Sequence, residues 1–306
     1  MRTIKKVASH IFIDGFGGMT QGLFATLIIG TMIQQIGLLI GGSTGNVIYL
    51  LGKAAAALTS AGIGVGVAVK YGESPLVTVS AAVAAMVGGY AGKITGGTFF
   101  VDGNAVLAGP GEPLGAFIAA FAGITCGHLV SGKTKVDIIV TPVITIGAGS
   151  VVGLLVGPPI SHMMTGLGSI INWATEQRPF IMGIVVSVVM GMVLTLPISS
   201  AALGIILNLS GLAAGAATIG CCCNMVGFAV ASYRENKFGG LVAQGLGTSM
   251  LQVPNIMRHP LIWLPVIFSS AILGPVSTIL ANMQNNATGS GMVPQVLSDR
   301  SQRIRR

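Results

Sequence analysis

Charged side chains are scarce in this sequence: Asp, Glu, Lys and Arg make up 8% of its 306 residues. A soluble domain typically carries about 25% charged residues, because it meets water on every side. The mean hydropathy is +0.84, and apolar runs close to the roughly 20 residues needed to cross a bilayer recur along the whole chain. The composition therefore excludes an ordinary soluble domain and predicts an all-α polytopic membrane protein.

Catalytic motifs and clustered metal ligands are also missing. The four cysteines provide no secreted disulfide framework. Cys221, Cys222 and Cys223 are consecutive, so on a helix they point about 100° apart and cannot converge on one ion. The chain has no Gly-x-Ser-x-Gly elbow, no His-Glu-x-x-His motif and no phosphate-binding loop. We predict that this chain carries no catalytic residues of its own, no metal and no cofactor.

The net charge of +8 is a property that this sequence shares with nucleic-acid-binding proteins. In a membrane chain, however, basic residues mark the cytoplasmic side of the bilayer. We therefore expect a lipid bilayer and no nucleic acid as the partner of these charges.

The apolar runs predict nine membrane spans and one ambiguous segment. The short segment at 160–175 is either a tenth crossing or an amphipathic helix lying in the headgroups. The nine runs are 16–40, 46–69, 75–92, 113–130, 138–157, 179–196, 209–232, 239–256 and 261–283.

The distribution of basic residues favours ten crossings. If the short segment crosses and the amino terminus is cytoplasmic, only Lys93 and Arg258 fall outside, and Lys53 lies within a span. This asymmetry predicts about ten transmembrane helices with both termini in the cytoplasm. Residues 1–284 then form a single membrane-embedded domain, and residues 285–306 form a basic cytoplasmic tail.

Two segments interrupt the pattern of spans. Residues 94–112 and 195–210 are too apolar for free loops, and they contain Gly, Pro and polar residues that disfavour a regular helix. Non-helical backbone at membrane depth is stable only where it is buried in protein or lines a wet cavity. We predict two re-entrant or broken segments around a solute site, the alternative being two ordinary extracellular hairpins.

The first broken segment offers the best candidate ligands. Carboxylates and amides form paired hydrogen bonds with neighbouring hydroxyls, which is the chemistry that a polyhydroxylated solute requires. The alternative is that Glu112 caps the next helix and that Asp102 faces solvent. The predicted solute-binding residues of the two broken segments are Glu112, Asp102, Asn104, Thr98, Ser199 and Asn208.

The run 239–256 carries a polar stripe formed by Gln244, Thr248, Gln252 and Asn255. On a regular helix these four residues share one face, because they are spaced by three or four positions. Such a stripe either holds helices together or lines a solute path. We add these four residues to the predicted solute-binding set.

The succession of spans and four short motifs resemble the membrane-embedded IIC components of the bacterial sugar phosphotransferase system, especially the perfringolysin-regulator-like branch. The motifs run from Thr95-Gly96-Gly97-Thr98, through Gly111-Glu112-Pro113-Leu114 and Leu196-Pro197-Ile198-Ser199-Ser200, to Gly247-Thr248-Ser249-Met250 with Val253-Pro254-Asn255. The resemblance implies a homodimer that binds a sugar in an occluded pocket and carries it across by alternating access. A cytoplasmic IIB protein would then phosphorylate the sugar, with the phosphoryl-accepting residue on that partner.

The resemblance also implies a Glu on the re-entrant hairpin and a His that grip the sugar hydroxyls. The segment 195–210 contains no acid, so either Glu112 takes that role or the protein binds another ligand. The sequence therefore predicts a sugar transporter in a bacterial inner membrane, at most the membrane subunit of a sugar phosphotransferase system. The alternatives are a membrane regulator or sensor with the same fold, and an ion-coupled secondary transporter in which Glu112 carries a proton.

Overall fold

The computed structural model describes residues 14–101, 103–107, 109, 111–175, 177–196, 200, 209–285 and 290. The contacts within the chain divide it into two units. The first unit takes in the chain up to Ile33 and Leu50–His162. The second unit takes in Gln34–Tyr49 and the chain from Met163 onwards.

Helices and one short β-hairpin are the regular elements of the described residues as far as Thr175. The hairpin is antiparallel, and it pairs Phe100 with Ala105 and Val101 with Asn104. The elements are α1 Phe16–Leu23, a π-helical turn Phe24–Ile28, α2 Ile29–Ile40, α3 Gly42–Ala57, α4 Thr59–Lys70, α5 Pro75–Gly89, α6 Ala91–Thr95, β1 Phe100–Val101, β2 Asn104–Ala105, α7 Pro113–Val130 and α8 Asp137–Thr175.

Helical pieces also make up the described part of the chain after Thr175. Several of these pieces are short and differ in winding from their neighbours. They are α9 Pro179–Thr195, α10 Gly211–Ala231, α11 Tyr233–Val242, a π-helical turn Ala243–Gly247, a 3₁₀ turn Ser249–Gln252, α12 Val253–Arg258, a 3₁₀ turn Pro260–Trp263, α13 Leu264–Pro275 and a π-helical turn Val276–Leu280.

Proline defines where several of these helices begin. Pro75, Pro113 and Pro179 are the first residues of α5, α7 and α9. Proline suits this position because its φ is already helical and its missing N–H would have no helical acceptor there. The start of α5 is further stabilised by Ser74, whose hydroxyl accepts a hydrogen bond from the Val77 amide at 3.4 Å.

Glycine allows the helix backbones of the first unit to touch. A Cβ atom built on Gly22 of α1 would lie 2.1 Å from the carbonyl oxygen of Gly62 in α4. A Cβ atom on Gly88 of α5 would lie 2.4 Å from the carbonyl oxygen of Gly115 in α7. Because lipid tails are as apolar as the helices, such close van der Waals packing is a main source of association between membrane helices.

The second unit is packed in the same way around α9, α10 and α13. A Cβ atom on Gly220 would lie 1.9 Å from the carbonyl oxygen of Ser187, so α9 and α10 cross in backbone contact. Apolar side chains fill the space beside this crossing. The buried core there includes Met182, Val186, Met190, Ala214, Ala217, Cys221 and Met225, so Cys221 contributes to packing.

Five helical stretches among the described residues are long and apolar enough to cross a membrane. A sixth is counted if α3 and α4, which are bent by 54° relative to each other, form one span. The five are Phe16–Ile40, Pro113–Val130, Asp137–Gly157, Gly211–Ala231 and Pro260–Leu280. This composition confirms an all-α polytopic membrane protein, and the predicted count of ten spans is not confirmed among the described residues.

Three predicted spans differ in form from the observed elements. Segment 160–175 is not separated from the preceding span by a loop, because α8 continues from Asp137 to Thr175. Run 46–69 is bent between α3 and α4. Run 239–256 is not one helix, because the extended backbone of Thr248 (φ −158°, ψ 145°) interrupts it.

Candidate functional site

Three interruptions of helical structure meet in the first unit, and we call this place the junction. They are the bend between α3 and α4 at Leu58, the break between α5 and α6 at Tyr90, and the chain from Gly109 to Glu112 that leads into α7. Non-helical backbone inside a membrane unit leaves polar groups available, so it is where a membrane protein builds a solute site.

The bend at Leu58 follows from the polar pair that comes after it. The hydroxyl of Thr59 donates a hydrogen bond to the Ala56 carbonyl at 2.6 Å. Such back-bonding by Thr competes with the backbone bonds of the helix and bends it. The side chains of Thr59 and Ser60 are fully buried, so two hydroxyls lie inside the unit at this bend.

Glu112 lies at the buried end of the first broken segment. Its amide donates a hydrogen bond to the Gly89 carbonyl at 2.7 Å, which fixes the entry of the chain into α7. Glu112 occupies the N-cap position of α7, but its side chain makes no capping hydrogen bond. The alternative prediction, that the negative charge of Glu112 stabilises the start of this helix, stays a prediction. Its carboxylate oxygen Oε1 is enclosed by protein.

Ser60 fits against the backbone before α7 because two glycines leave room for it. A Cβ atom on Gly89 would lie 2.2 Å from the Ser60 hydroxyl oxygen, and one on Gly111 would lie 2.4 Å from it. Gly111 also has a φ of +76°, which side chains rarely tolerate. The Ser60 hydroxyl thus lies against the backbone at Gly89 and Gly111, the residue that directly precedes Glu112.

Tyr90 completes the junction. Its side chain is 1% exposed. Its hydroxyl donates a hydrogen bond to the Gly109 carbonyl and lies 3.4 Å from the Ala57 carbonyl at the helix bend. The junction therefore combines a carboxylate, a phenol and small hydroxyls around interrupted backbone, which is a suitable set of groups for binding a hydroxylated solute.

The rest of the first broken segment differs from its prediction. The strands Phe100–Val101 and Asn104–Ala105 form a β-hairpin with exposed side chains, Phe100 being 61% exposed, so these strands do not dip into the unit. The hairpin satisfies its backbone hydrogen bonds by pairing its own two strands. Asn104 lies on this exposed hairpin and Thr98 in the exposed turn before it. Asp102 lies outside the described residues.

The second broken segment lies almost entirely outside the described residues, and Ser199 and Asn208 belong to that part. Its described ends are Thr195, the last residue of α9, and Ser210, which precedes α10.

The polar residues of run 239–256 form a hydrogen-bonded chain rather than a helical stripe. Gln244 Nε2 donates to the Ser232 hydroxyl at 3.0 Å, Gln252 Nε2 donates to Gln244 Oε1 at 3.0 Å, and Asn255 Nδ2 donates to Gln252 Oε1 at 2.8 Å. The Thr248 hydroxyl accepts from the Met250 amide and caps the 3₁₀ turn. Gln244 and Gln252 are buried, whereas Asn255 is exposed at the end of the chain of amides.

Asn224 in α10 is the centre of a second polar network that the sequence did not reveal. Its Oδ1 accepts hydrogen bonds from the Thr195 hydroxyl at 3.1 Å and from the Trp263 ring at 3.3 Å. Its Nδ2 donates to the Ser270 hydroxyl at 3.2 Å. The Thr195 hydroxyl also meets the Ser249 hydroxyl at 2.8 Å. The network joins α9, α10 and α13 to the turns at Ser249 and Trp263.

Glu73 and His128 form a side-chain contact that connects the start of α5 to the end of α7. His128 Nδ1 lies 3.0 Å from Glu73 Oε1. The Glu73 side chain is 9% exposed and the His128 side chain is 71% exposed. Glu73 and Glu112 lie at opposite ends of the packed pair α5 and α7, so Glu73 provides a reference carboxylate away from the junction.

Comparison with known protein families identifies the family of this chain. The family model "Phosphotransferase system, EIIC" matches residues 13–294, which is most of the chain. A comparison with curated proteins found no match. The chain belongs to the EIIC family of the phosphotransferase system, and it is therefore a bacterial membrane component of a sugar phosphotransferase system.

Proposed function

We propose that this EIIC protein carries a sugar or a similar small hydroxylated solute across the bacterial membrane, and that Glu112 is a principal contact of that solute. The observation that supports the proposal most strongly is the position of Glu112. Its backbone is fixed by Gly89, its side chain makes no hydrogen bond that caps α7, and one carboxylate oxygen is enclosed by protein at the junction.

The chemistry of a half-buried carboxylate supports this role for Glu112. Sugar hydroxyls suit such a group, since one carboxylate accepts hydrogen bonds from two neighbouring hydroxyls. The Ser60 and Tyr90 hydroxyls lie at the same junction. A solute that donates several hydrogen bonds is therefore the best match to this set of groups.

The other predicted solute contacts are included on either structural or sequence grounds. Thr98 and Asn104 lie on or beside the exposed hairpin that precedes Glu112. Asn255 is the exposed end of the chain of amides, whereas Gln244 and Gln252 are occupied by hydrogen bonds to each other in this conformation. Asp102, Ser199, Asn208 and Thr248 complete the proposed set on sequence grounds.

The proposal includes the membrane topology and partners that the sequence favours. We place the chain in the inner membrane with ten crossings and both termini in the cytoplasm, on the distribution of basic residues. We further place it in the perfringolysin-regulator-like branch, as a homodimer that works by alternating access. A cytoplasmic IIB protein would phosphorylate the transported sugar, which fits the absence of catalytic motifs in the sequence.

Thermal-shift screening tests the role of Glu112. Purified protein is heated with a panel of hexoses, hexitols and amino sugars, because a solute that binds only the folded state raises the melting temperature. Removing one hydrogen bond to a charged group costs about 1.5–3 kcal/mol, so Glu112→Gln should weaken binding by roughly 10- to 150-fold.

Glu73→Gln is the matched control, because it also removes an acid from the residues before a proline-headed helix. It should leave sugar binding unchanged. Equal binding by wild type and Glu112→Gln would refute the proposed role of Glu112, and a large loss of stability in the ligand-free Glu112→Gln protein would instead assign it a structural role.

A further inference from the structure

Tyr90 connects the three interruptions that form the junction. It lies between α5 and α6, its hydroxyl donates to the Gly109 carbonyl of the segment leading to Glu112, and the same hydroxyl lies 3.4 Å from Ala57 at the helix bend. A carbonyl at a break in a helix has lost its usual helical donor. One buried phenol thus donates to a carbonyl of the segment before α7 and contacts a carbonyl at the helix bend, while it occupies the break between α5 and α6.

The ring of Tyr90 holds the beginning of the same segment. Its centroid lies 5.3 Å from that of Phe99, and the Lys93 ammonium lies 5.4 Å from the ring centroid. The Phe99 amide donates to the Lys93 carbonyl at 3.1 Å, so this end of the segment is bonded to α6. The contacts of Tyr90 therefore reach both the first and the last part of the segment that contains the hairpin.

Gly89, the neighbour of Tyr90 in the chain, fixes Glu112 directly. Its carbonyl accepts the Glu112 amide at 2.7 Å. Residues 89 and 90 therefore hold two points within four residues of each other, Gly109 and Glu112. If the Gly109 contact is lost, the turn before Glu112 loses one of these two fixed points, and it contains two glycines with positive φ, Gly109 at +85° and Gly111 at +76°.

We propose that Tyr90 is a positioning residue for solute binding: its hydroxyl fixes the turn at Gly109 and thereby holds the Glu112 carboxylate in its binding position. This inference rests on the proposed function of Glu112. Tyr90 itself acts through Glu112 and need not touch the solute. The hydroxyl, rather than the ring, carries this role, because Phe at this position would keep the contact with Phe99 but could not bond the carbonyl of Gly109.

Hydrogen exchange of the full-length protein in detergent or nanodiscs tests the positioning role without any solute. In Tyr90→Phe, peptides covering 106–112 should exchange about tenfold faster, because a segment that loses a buried hydrogen bond opens more often. Helices α4, α5 and α7 should keep their protection. Faster exchange throughout the unit would show that Tyr90 is a general structural residue. Unchanged exchange in 106–112 would show that its hydroxyl does not fix this segment. Either result overturns the inference.

Tyr71→Phe is the matched control. Tyr71 is half-buried in the same unit, its ring contacts Phe121, and its hydroxyl lies beside Gly15, away from the junction. Burial and the negative charge of Asp14 raise the pKa of Tyr71 to about 12, so this hydroxyl is neutral in the assay, as Tyr90 must be to donate its proton. Tyr71→Phe should leave the exchange of 106–112 unchanged.

A double-mutant cycle connects Tyr90 to Glu112. With the sugar that gives the largest thermal shift, Tyr90→Phe should weaken binding about tenfold in the wild-type protein and less than about twofold in Glu112→Gln, because residues that act through one another are not additive. Equal losses in both backgrounds would refute positioning through Glu112. If Glu112→Gln binds sugar normally, the proposed function fails, whereas normal binding by Tyr90→Phe alone refutes only the inference about Tyr90.

Discussion

Replacing Thr195 by valine should destabilise the second unit by about 1–3 kcal/mol. The substitution keeps the shape of the side chain and removes the hydroxyl, which bonds Asn224 Oδ1 at 3.1 Å and Ser249 Oγ at 2.8 Å. Hydrogen bonds between membrane helices average about 0.6 kcal/mol and reach about 1.7 kcal/mol. Two such bonds give the predicted range, and its upper part applies if the fully buried Ser249 hydroxyl finds no new partner.

Thr125→Val is the matched control for this prediction. Both threonine hydroxyls lie within hydrogen-bond distance of a carbonyl four residues earlier in their own helix, Thr195 of Gly191 at 3.1 Å and Thr125 of Phe121 at 2.7 Å. Thr195 also bonds Asn224 and Ser249 on other elements, whereas Thr125 is exposed on α7. Thr125→Val should therefore change the free energy of unfolding by less than about 0.5 kcal/mol.

Unfolding by a denaturing detergent in mixed micelles measures both free energies. A Ser249→Ala variant adds a test of coupling, because Thr195→Val should cost less once the Ser249 hydroxyl is absent. If Thr195→Val and Thr125→Val have the same effect, the network around Asn224 does not hold the second unit together and the reasoning is refuted.

Two further predictions concern packing and access. Gly88→Ala should destabilise the first unit by more than about 1 kcal/mol, since its Cβ would lie 2.4 Å from the carbonyl oxygen of Gly115. Gly147→Ala is the control, because no atom lies within 4 Å of the new Cβ, and it should be neutral or stabilising in thermal melts. The reverse order of melting temperatures would contradict the close approach of α5 and α7. In a cysteine-free background, Asn255→Cys should react readily with hydrophilic thiol reagents and Gln252→Cys should be protected, because Asn255 is exposed and Gln252 is buried. Equal, rapid labelling of both positions would show that the chain of amides lines a water-filled path.

Hydropathy predicted several spans closely because length and composition define them. The runs 16–40 and 113–130 coincide with the observed stretches Phe16–Ile40 and Pro113–Val130. In the second case the proline at the start of the run is also the first helical residue. Where a run is uniformly apolar and begins at a proline, local signals decide the boundary and tertiary contacts have little to change.

The interruptions were harder to predict because contacts between helices determine them. The hydropathy of run 46–69 does not change at Leu58, so it did not predict a bend there. The bend is visible only in the structure, where the Thr59 hydroxyl bonds the Ala56 carbonyl. Thr248 breaks run 239–256 with its side chain bonded to the Met250 amide, an arrangement that favours a turn over the helical stripe that residue spacing alone predicts.

The candidate site was found only in part from the sequence. Glu112 stood out as an acid in an apolar, glycine-rich segment, and the structure places it at the junction. Ser60, Tyr90 and Asn224 were missed, because a single polar residue within an apolar run has no spacing pattern to reveal its partners. The sequence marked each of them only as a polar residue within an apolar run. A polar group inside a membrane is costly without a partner, so each is expected to have a partner or a function.

Exchange of a radiolabelled sugar across proteoliposomes tests the central claim most directly. The sugar is the one that gives the largest thermal shift, and the vesicles contain wild-type protein, Glu112→Gln or Glu73→Gln, with unlabelled sugar inside and no IIB protein. We predict exchange with wild type and with Glu73→Gln, and at least about a tenfold slower rate with Glu112→Gln at sugar concentrations below saturation. Exchange at the wild-type rate by Glu112→Gln would contradict the account.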